Sequence, residues 1–336
     1  MESGGTKRKG MGILLCVMVL FVCACWEVWH VRAAHAGGGG AYPNGAEGFL
    51  VGAAPPPGIT FVNYLYYYHA NEMMDDDGNG NPAFDEISVW AEVARFIWIS
   101  KAQFLGANYG QHVFFLATDT DLDFTVPFGP EGDRHYHSTD IPYVIWSPCL
   151  LTWHLLEGRL HMVLDVADLY IPLSNEDKND PSSLGRNFWT IEPVFAVTWL
   201  PAPAIEFSAK FMYDFNTRQD DFLPGPPVNL DRTPGDEFHV DFATSYAIQP
   251  NLRLGVSGYY YRQVEDDDYH GLDAFAEPLR AALEGMEGAQ SRVWALGPGV
   301  WYQHGNMMAE FRTQFEFEAR NKTEGTNAWL KFYYVF

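Results

Sequence analysis

The chain has 336 residues, of which 43 are acidic and 21 basic, and it is rich in aromatic side chains, with 24 Phe, 18 Tyr and 11 Trp. Its formal net charge of −22 repels nucleic acid, so we expect no nucleic-acid partner. No run of about 18 apolar residues occurs beyond the N-terminus, which excludes a bundle of membrane-spanning helices.

The first 36 residues have the three parts of an export signal. A basic start at 7–9 is followed by an apolar run at 12–26 and a small-x-small cleavage site at 34–36. We therefore predict that residues 1–36 are a signal peptide, with an uncleaved anchor or a lipoprotein signal as alternatives. Three of the four cysteines lie in this segment, so the mature chain keeps Cys149 alone and cannot form an internal disulfide.

Residues 37–58 are rich in Gly and Pro and show no clear periodicity. This composition predicts an N-terminal coil. The coil is expected either in the periplasm or as a plug in the lumen of the domain that follows.

Residues 59–336 contain twelve runs of aromatic and β-branched residues separated by turn signals, which is the pattern of strands. Many runs reach or exceed the roughly 9–11 residues that a tilted membrane strand needs, whereas a globular strand typically has about 5–6. The predicted strands are 59–69, 86–100, 108–119, 141–155, 159–171, 188–200, 204–217, 236–248, 251–264, 292–303, 306–318 and 327–336.

The connections between these strands alternate in length. Tight turns such as 157–158 and 304–305 alternate with long polar loops such as 120–140 and 319–326. Outer-membrane barrels have short periplasmic turns and long external loops. If the N-terminus lies in the periplasm, an even strand number returns the C-terminus there, so that every short turn is periplasmic and every long loop is external. The predicted fold is therefore all-β: a transmembrane antiparallel outer-membrane β-barrel of about twelve strands over 59–336, in the cell outer membrane of a Gram-negative bacterium.

The closing strand supports this fold. Leu330, Phe332, Tyr334 and Phe336 share one side of it, because side chains alternate with period two. Alternation alone does not tell a soluble barrel from a membrane barrel, in which the apolar side meets outer-membrane lipid. The export signal, the strand lengths and the terminal Phe336 favour the membrane barrel. In proteins of this class the barrel-assembly machinery reads the terminal aromatic, so we expect it to recognise Phe336.

Several stretches carry a resemblance to known proteins: GGGAYPNGAE at 38–47, PPPGITFVNYLYY at 55–67, GRNFWTIEPVFAVTWL at 185–200, EFSAKFMYDFNT at 206–217, GVSGYYYRQV at 255–264 and the closing strand. They resemble the MetA-pathway phenol-degradation family, Gram-negative outer-membrane proteins usually labelled transporters, which include a sphingosine-induced member. The resemblance implies an outer-membrane barrel that passes or senses hydrophobic or aromatic compounds.

The polar sides of the predicted strands carry charges of both signs, and in a membrane barrel they face the lumen. Eight-stranded barrels are filled by side chains and barrels of 16–18 strands leave an aqueous channel. Twelve strands lie between these limits, so a conducting pathway and a filled lumen both remain open. The residues predicted to line the lumen are Glu192, Glu206, Lys210, Asp214, Asp241, Arg253, Glu310, Arg312, Glu316 and Lys331.

Residues 75–86 read DDDGNGNPAFDE and fit the spacing of a calcium-binding loop. Alternate acidic and amide side chains on a Gly-bent loop offer the hard oxygens that Ca²⁺ requires. No helix flanks the loop, so a solvated acidic external loop is the alternative. The candidate ligands are Asp75, Asp77, Asn79, Asn81 and Glu86.

Two further features lie in predicted external loops. Residues 272–286 carry apolar side chains at helical spacing, which predicts a short amphipathic helix over the barrel mouth or packed on neighbouring loops. His135 and His137 could bind a metal, although two His in an acidic loop are weak evidence.

The sequence contains no G-x-S-x-G, H-E-x-x-H, P-loop or dinucleotide motif. We therefore predict a barrel that is not an enzyme, needs no cofactor beyond the candidate calcium, and passively transports small hydrophobic or aromatic compounds. Two alternatives remain. One is an outer-membrane lipid-modifying hydrolase, with Ser257 and His239 as the residues to test. The other is a structural or sensing surface barrel with a filled lumen.

Overall fold

The computed structural model describes residues 41–81, 84–126, 132–173, 180, 182–223, 229–277 and 279–336. The predicted signal peptide, 1–36, lies outside the described residues. The strands are Gly58–Met74 (β1), Phe84–Phe104 (β2), Ala107–Val126 (β3), Gly132–Asp140 (β4), Tyr143–Leu155 (β5), Leu160–Pro172 (β6), Thr190–Ala202 (β7), Ile205–Asn216 (β8), Gln219–Leu223 (β9), Leu230–Thr233 (β10), Glu237–Gln249 (β11), Leu252–Gln263 (β12), Asp268–His270 (β13), Arg292–His304 (β14), Met307–Arg320 (β15) and Lys322–Val335 (β16).

These strands form a closed antiparallel barrel. Its order is β2-β1-β16-β15-β14-β12-β11-β8-β7-β6-β5-β3, and β3 pairs with β2 to close the ring. β4 and β5 both pair with β3, one with each half of that strand, so together they occupy one position in the wall. The predicted twelve-stranded antiparallel barrel is therefore confirmed. β9, β10 and β13 form a small separate sheet.

The two ends of the barrel differ. At one end the strands join through short turns such as 105–106 and 305–306, and at the other end lie the longer connections. In outer-membrane barrels the first end is periplasmic and the second external. The predicted long loop at 319–326 is wrong: β15 and β16 meet in a tight turn at Asn321, whose φ of 47° lies in the left-handed region that Asn tolerates.

Helix is scarce in the described part of the chain. The predicted helix over 272–286 is divided into a 3-10 turn at Leu272–Ala274 and an α-helix at Leu279–Glu287 (α1). The division follows from Phe275, whose backbone is extended at φ −94° and ψ 143°. Among the described residues, no helix is long and apolar enough to cross a bilayer.

The large apolar side chains of the wall face outward. Leu65, Leu330 and Phe311 lie side by side on three paired strands and are 42%, 47% and 47% exposed. On the adjoining positions of the closing strand, Trp329 and Lys331 are buried. The apolar faces therefore point to lipid and the polar faces to the lumen, which is the sense of a membrane barrel.

This outward face gives a first testable prediction. We expect Leu330→Arg to lower the free energy of unfolding by up to about 2–4 kcal/mol, the cost of a lipid-facing Arg near the bilayer midplane. Denaturant titration of the protein folded into lipid vesicles measures this loss, and Leu330→Phe is the matched control. Equal stability of the two variants would contradict a lipid-facing position for Leu330.

Candidate functional site

Residues 41–54, here called the plug segment, lie inside the lumen. Ala41, Tyr42, Ala46 and Phe49 are all less than 8% exposed. The segment has no strand partner, because its Gly and Pro residues disfavour a ladder. Its backbone N–H groups must still be hydrogen-bonded where water is excluded. Side chains of the barrel wall provide the acceptors.

Asp241 on β11 holds the beginning of the plug segment. Its carboxylate accepts hydrogen bonds from the Tyr42 hydroxyl at 2.7 Å, from Gly45 N at 3.0 Å and from Glu47 N at 2.9 Å. Gly45 has a φ of 77°, a left-handed conformation that suits glycine. One buried carboxylate thus fixes a turn of the plug segment.

The second half of the plug segment is held in the same way. Phe49 N donates to Glu310, Leu50 N donates to Glu206 at 2.5 Å, and Gly52 N donates to Thr198 Oγ1 at 2.9 Å. At Gly52 a Cβ atom would lie 2.4 Å from the backbone nitrogen of Thr198. The plug segment therefore touches the wall so closely there that only glycine fits.

Arg312 on β15 donates hydrogen bonds to backbone carbonyl groups of the plug segment. Nη1 donates to Gly45 O at 2.6 Å and to Glu47 O at 3.1 Å, and Nη2 donates to Ala46 O at 2.8 Å. The Arg312 side chain is fully buried and its Nε lies 2.5 Å from Glu310 Oε1. The fixed fork of the guanidinium suits three successive carbonyl groups.

Glu47 is the centre of a buried ion cluster. Its carboxylate lies 2.5 Å from Lys331 Nζ and 2.9 Å from Arg95 Nη1, and it accepts a hydrogen bond from the Tyr64 hydroxyl at 3.1 Å. Lys331 also lies 4.7 Å from the centre of the Tyr64 ring. The cluster joins the plug segment to the strands on which the barrel closes, β16, β1 and β2.

The ten residues predicted to line the lumen all face the interior. Nine are buried and Glu316 is half-buried. Six of them contact the plug segment. Lys210 Nζ lies 4.3 Å from the centre of the Tyr42 ring, and the contacts of the other five are described above: Glu206, Asp241, Glu310, Arg312 and Lys331. Others bind wall groups: Glu316 accepts hydrogen bonds from two Tyr hydroxyls, and Arg253 donates to Pro203 O. These side chains therefore fix the lumen contents more than they line open space.

Open space remains in the lumen beside the plug segment. It consists of three cavities, one after another from the external to the periplasmic end. The external cavity measures about 360 Å³, the middle one about 30 Å³ and the periplasmic one about 420 Å³. Tyr42 and Tyr143 line both the external and the middle cavity, while Asp168 and Lys210 line both the middle and the periplasmic cavity. We call this row of neighbouring cavities the passage, and its middle part is the narrowest.

Aromatic and aliphatic side chains surround the narrow part of this passage. Phe114, Tyr143, Tyr170 and Trp329 line it from the wall, and the plug segment closes it from the other side. These residues were not predicted from the sequence. Tyr64 also lines the narrow part. The sequence from Tyr64 onward reads YLYYY, so aromatic residues occupy both sides of this strand and period-two alternation does not show which side faces inward.

Beyond the narrow part lies a polar group of residues. Arg95 Nη2 is 2.8 Å from His112 Nδ1, and His112 Nε2 is 2.5 Å from Asp168 Oδ1. Since the guanidinium can only donate, it donates to Nδ1 and the imidazole donates from Nε2 to the carboxylate. Asp165, also buried, completes the group. The periplasmic cavity is therefore lined by buried polar and charged side chains next to the narrow part.

The two residues proposed for a hydrolase are not brought together. Ser257 lies opposite Ala243 in the sheet, whereas His239 lies opposite Tyr261, four positions along the strands. At a rise of about 3.4 Å per residue this is roughly 13 Å. Ser257 Oγ instead accepts a hydrogen bond from Gln314 Nε2 at 3.3 Å. This pair therefore has no nucleophile–base geometry.

The candidate calcium loop lies at the external end between β1 and β2. The Asp75 carboxylate accepts hydrogen bonds from the backbone N of Asn79 at 2.8 Å and from the side-chain amide of the same residue. These hydrogen bonds hold the pKa of Asp75 below its ordinary value. Glu86 lies on β2 and is exposed. In the described part of the loop, Asp75, Asp77 and Glu86 do not gather into one cluster of ligand atoms.

Calcium binding at this loop stays a prediction. We expect one Ca²⁺ per chain, and loss of this binding on Asp75→Ala because the variant removes the first ligand. Isothermal titration of the folded protein measures the heat of binding. Heat no greater than that of a buffer blank would show that the loop does not bind Ca²⁺.

His135 and His137 lie on β4 beside the carboxylates of β3. His135 Nδ1 is 2.8 Å from Asp123 Oδ1 and His137 Nδ1 is 3.0 Å from Asp121 Oδ1. Both imidazoles are at least half exposed. Water reaches these groups, so the pairing needs no bound metal.

Solved structures similar to the chain are barrels of outer-membrane proteins. The COG4313 outer membrane channel from Pseudomonas putida F1 is 13% identical with a TM-score of 0.65, and the match covers 84% of this chain and 97% of that one. The TodX deltaS2S3 mutant monoaromatic hydrocarbon channel is 9% identical with a TM-score of 0.43, over 91% and 96% of the two chains. The β domain of the Bordetella autotransporter Brka is 10% identical with a TM-score of 0.43, over 84% and 100%. The likeness to the COG4313 channel shows a shared fold.

No curated protein matches the chain. The family profile described as "Putative MetA-pathway of phenol degradation" matches residues 70–332, from the external end of β1 into the closing strand. This range holds most of the wall and nearly all residues that bind the plug segment or surround the passage. The resemblance in the sequence is thus confirmed, and the chain belongs to the family of the MetA pathway of phenol degradation.

Proposed function

We propose that the protein is an outer-membrane channel that passively passes small hydrophobic or aromatic compounds. The observation that carries this proposal is the passage between the plug segment and the aromatic wall. Its narrow part is lined by Phe114, Tyr143, Tyr170 and Trp329, which offer apolar faces together with hydroxyl groups. Rings of this kind favour an aromatic guest by edge-to-face or offset contacts.

In the present conformation the passage is closed in the middle. An apolar cavity that binds benzene measures about 150 Å³, and the middle cavity of about 30 Å³ is much smaller. The Tyr143 hydroxyl donates to Ala41 O, so the beginning of the plug segment is tied to the wall at this point. We propose that displacement of residues 41–43 opens the way for one aromatic ring at a time.

The direction of transport would follow the concentration gradient of the compound. The sequence contains no energy-coupling motif, and catabolism inside the cell would maintain the gradient. On the periplasmic side the exit cavity is lined by Pro55, Pro56 and the turn at 305–306. A compound that leaves there enters the periplasm.

Single-channel recording in planar lipid bilayers tests the proposal. We expect a small ion conductance that phenol or cresol interrupts in short blocks, whereas glucose at the same concentration does not. Tyr143→Ala widens the narrow part and is expected to shorten the blocks. Phe207→Ala is the matched control, because Phe207 is an aromatic residue of the outward face. Absence of conductance would favour a structural or sensing barrel with a filled lumen, and equal blocking by glucose would refute selection for aromatic compounds.

The location and assembly of the protein are part of the same proposal. Phe336 is 72% exposed at the periplasmic end, while its backbone N donates to Ile59 O. The ring packs edge-on against Tyr334 and is otherwise exposed, so we expect the barrel-assembly machinery to reach it. We expect Phe336→Ala to reduce the amount of folded barrel in the outer membrane, which heat-modifiable migration on gels measures.

A further inference from the structure

A second buried cluster lies at the external end of the lumen, apart from the passage. Glu237 and His239 are two positions apart on β11 and point inward, and β8 places Asp214 directly opposite Glu237. Asp214 and His239 are 0% exposed and Glu237 is 1% exposed. One ligand atom of each residue lies within 4.8 Å of the others.

Five polar atoms of this cluster have no hydrogen-bond partner by distance and angle. Both carboxylate oxygens of Asp214, both of Glu237 and Nε2 of His239 have no hydrogen-bond partner among the residues that the structure describes. Buried polar groups in native proteins are nearly always hydrogen-bonded, since leaving them unpaired is costly. Unpaired carboxylate oxygens and an unpaired imidazole nitrogen this close together offer the ligand atoms that a cation could use.

The distances in the cluster are those of loose ion pairs and are longer than a charge-assisted hydrogen bond. His239 Nε2 lies 3.3 Å from Asp214 Oδ2 and 3.4 Å from Glu237 Oε2. A charge-assisted hydrogen bond is usually about 2.7–2.9 Å long, and the pair of His112 and Asp168 in the same lumen is 2.5 Å. Two ligands of a tetrahedral ion with bonds of about 2.0–2.1 Å are roughly 3.3 Å apart. The spacing of His239 from both carboxylates matches that value.

The plug segment fixes the state of the imidazole. His239 Nδ1 is 2.7 Å from Asn44 Oδ1, and an amide oxygen can only accept, so Nδ1 donates. In the neutral ring, Nε2 then presents its lone pair to the space between the carboxylates. Metal-binding His residues usually donate their other N–H to a carbonyl oxygen or carboxylate in this manner.

We propose that Asp214, Glu237 and His239 form a binding site for a divalent first-row transition ion of the zinc class. One neutral imidazole and two carboxylates are ligands that Zn²⁺ and its neighbours accept, and their charge of −2 balances the ion. Through Asn44 the bound ion holds the external end of the plug segment. The site is independent of the proposed transport of aromatic compounds and adds a means to stabilise the closed passage.

The other buried cluster that contains a His residue is less suited to a cation. His112, Asp165 and Asp168 are also within ligand distance of one another. There, however, Arg95 Nη2 lies 2.8 Å from His112 Nδ1 and repels a cation. Asp165 Oδ2 lacks a hydrogen-bond partner there too, but both ring nitrogens of His112 are hydrogen-bonded, to Arg95 and to Asp168, so the imidazole has no lone pair left for an ion.

Cobalt titration tests the site, because Co²⁺ replaces Zn²⁺ and gives visible absorption in a protein site. The full chain is folded in detergent micelles in a background without exposed His pairs, made by His135→Asn, His137→Asn, His154→Asn and His161→Asn. We expect one equivalent of Co²⁺ to bind, with displacement by Zn²⁺. His239→Gln and Asp214→Asn should abolish binding, and Asn44→Ala should weaken it roughly 10- to 100-fold.

His112→Gln is the matched control, since it removes the other buried lumen histidine and should leave Co²⁺ binding unchanged. Heat-modifiable migration verifies folding of each variant, and Glu237→Gln replaces any variant that fails to fold. The proposal is overturned if the background protein binds no Co²⁺, or if the folded His239 or carboxylate variants bind it as the background does. If His112→Gln lost Co²⁺ binding while the His239 and carboxylate variants kept it, the ion would not lie between Asp214, Glu237 and His239.

Discussion

Deletion of residues 41–54 is expected to raise the single-channel conductance of the barrel on the order of tenfold or more. Without the plug segment, the lumen of twelve strands approaches the width of the larger barrels that contain an aqueous channel. The narrow middle part of the passage exists only because the plug segment lies against the aromatic wall. The wall strands pair with each other around the whole ring, so we expect the barrel to stay closed. Water that enters the lumen would solvate Asp241 and Arg312.

Recording in planar bilayers of the full and shortened proteins measures this effect. A synthetic peptide of residues 41–54, added to the shortened barrel, should lower the conductance again, and a peptide of scrambled sequence is the control. An unchanged conductance on deletion would show that another part of the chain limits the passage. The account of the plug segment as the closing element would then be wrong.

The barrel itself was predictable from the sequence for a simple physical reason. A strand that separates lipid from a polar lumen must alternate with period two, and residues 205–216 and 307–317 do so over their whole length. Short turns also leave clear signals, as at 305–306. The tight turn at Asn321 was missed because Lys322–Val335 begins with polar residues that resemble a loop.

The role of the inward charges was not predictable from their own strands. Alternation shows that Asp241 and Arg312 face inward, but not that their partners are backbone groups of residues 45–47. The plug segment has neither periodicity nor a motif, since its conformation is set by acceptors and donors far away in sequence. The His239 cluster was likewise hidden, because its three residues come from two strands whose register only the folded barrel fixes.

Glu47→Gln is expected to weaken docking of the plug segment by about 3–5 kcal/mol, the usual result of removing one partner from a buried ion cluster. The substitution leaves Lys331, which is 0% exposed, without the carboxylate that lies 2.5 Å from its ammonium group. Arg95 loses its contact at the same time. Because about 1.4 kcal/mol corresponds to a factor of ten, the undocked population would rise by roughly two to four orders of magnitude.

Hydrogen–deuterium exchange of the backbone amides in residues 41–54 measures this change, since Gly45 N and Phe49 N are protected only while the plug segment is docked. Glu157→Gln, an exposed Glu in a periplasmic turn, is the matched control. The double variant Glu47→Gln with Lys331→Met should recover part of the protection, because it removes the unpaired buried charge along with its partner. Unchanged exchange in Glu47→Gln would mean that Asp241 and Arg312 hold the plug segment without help from the ion cluster.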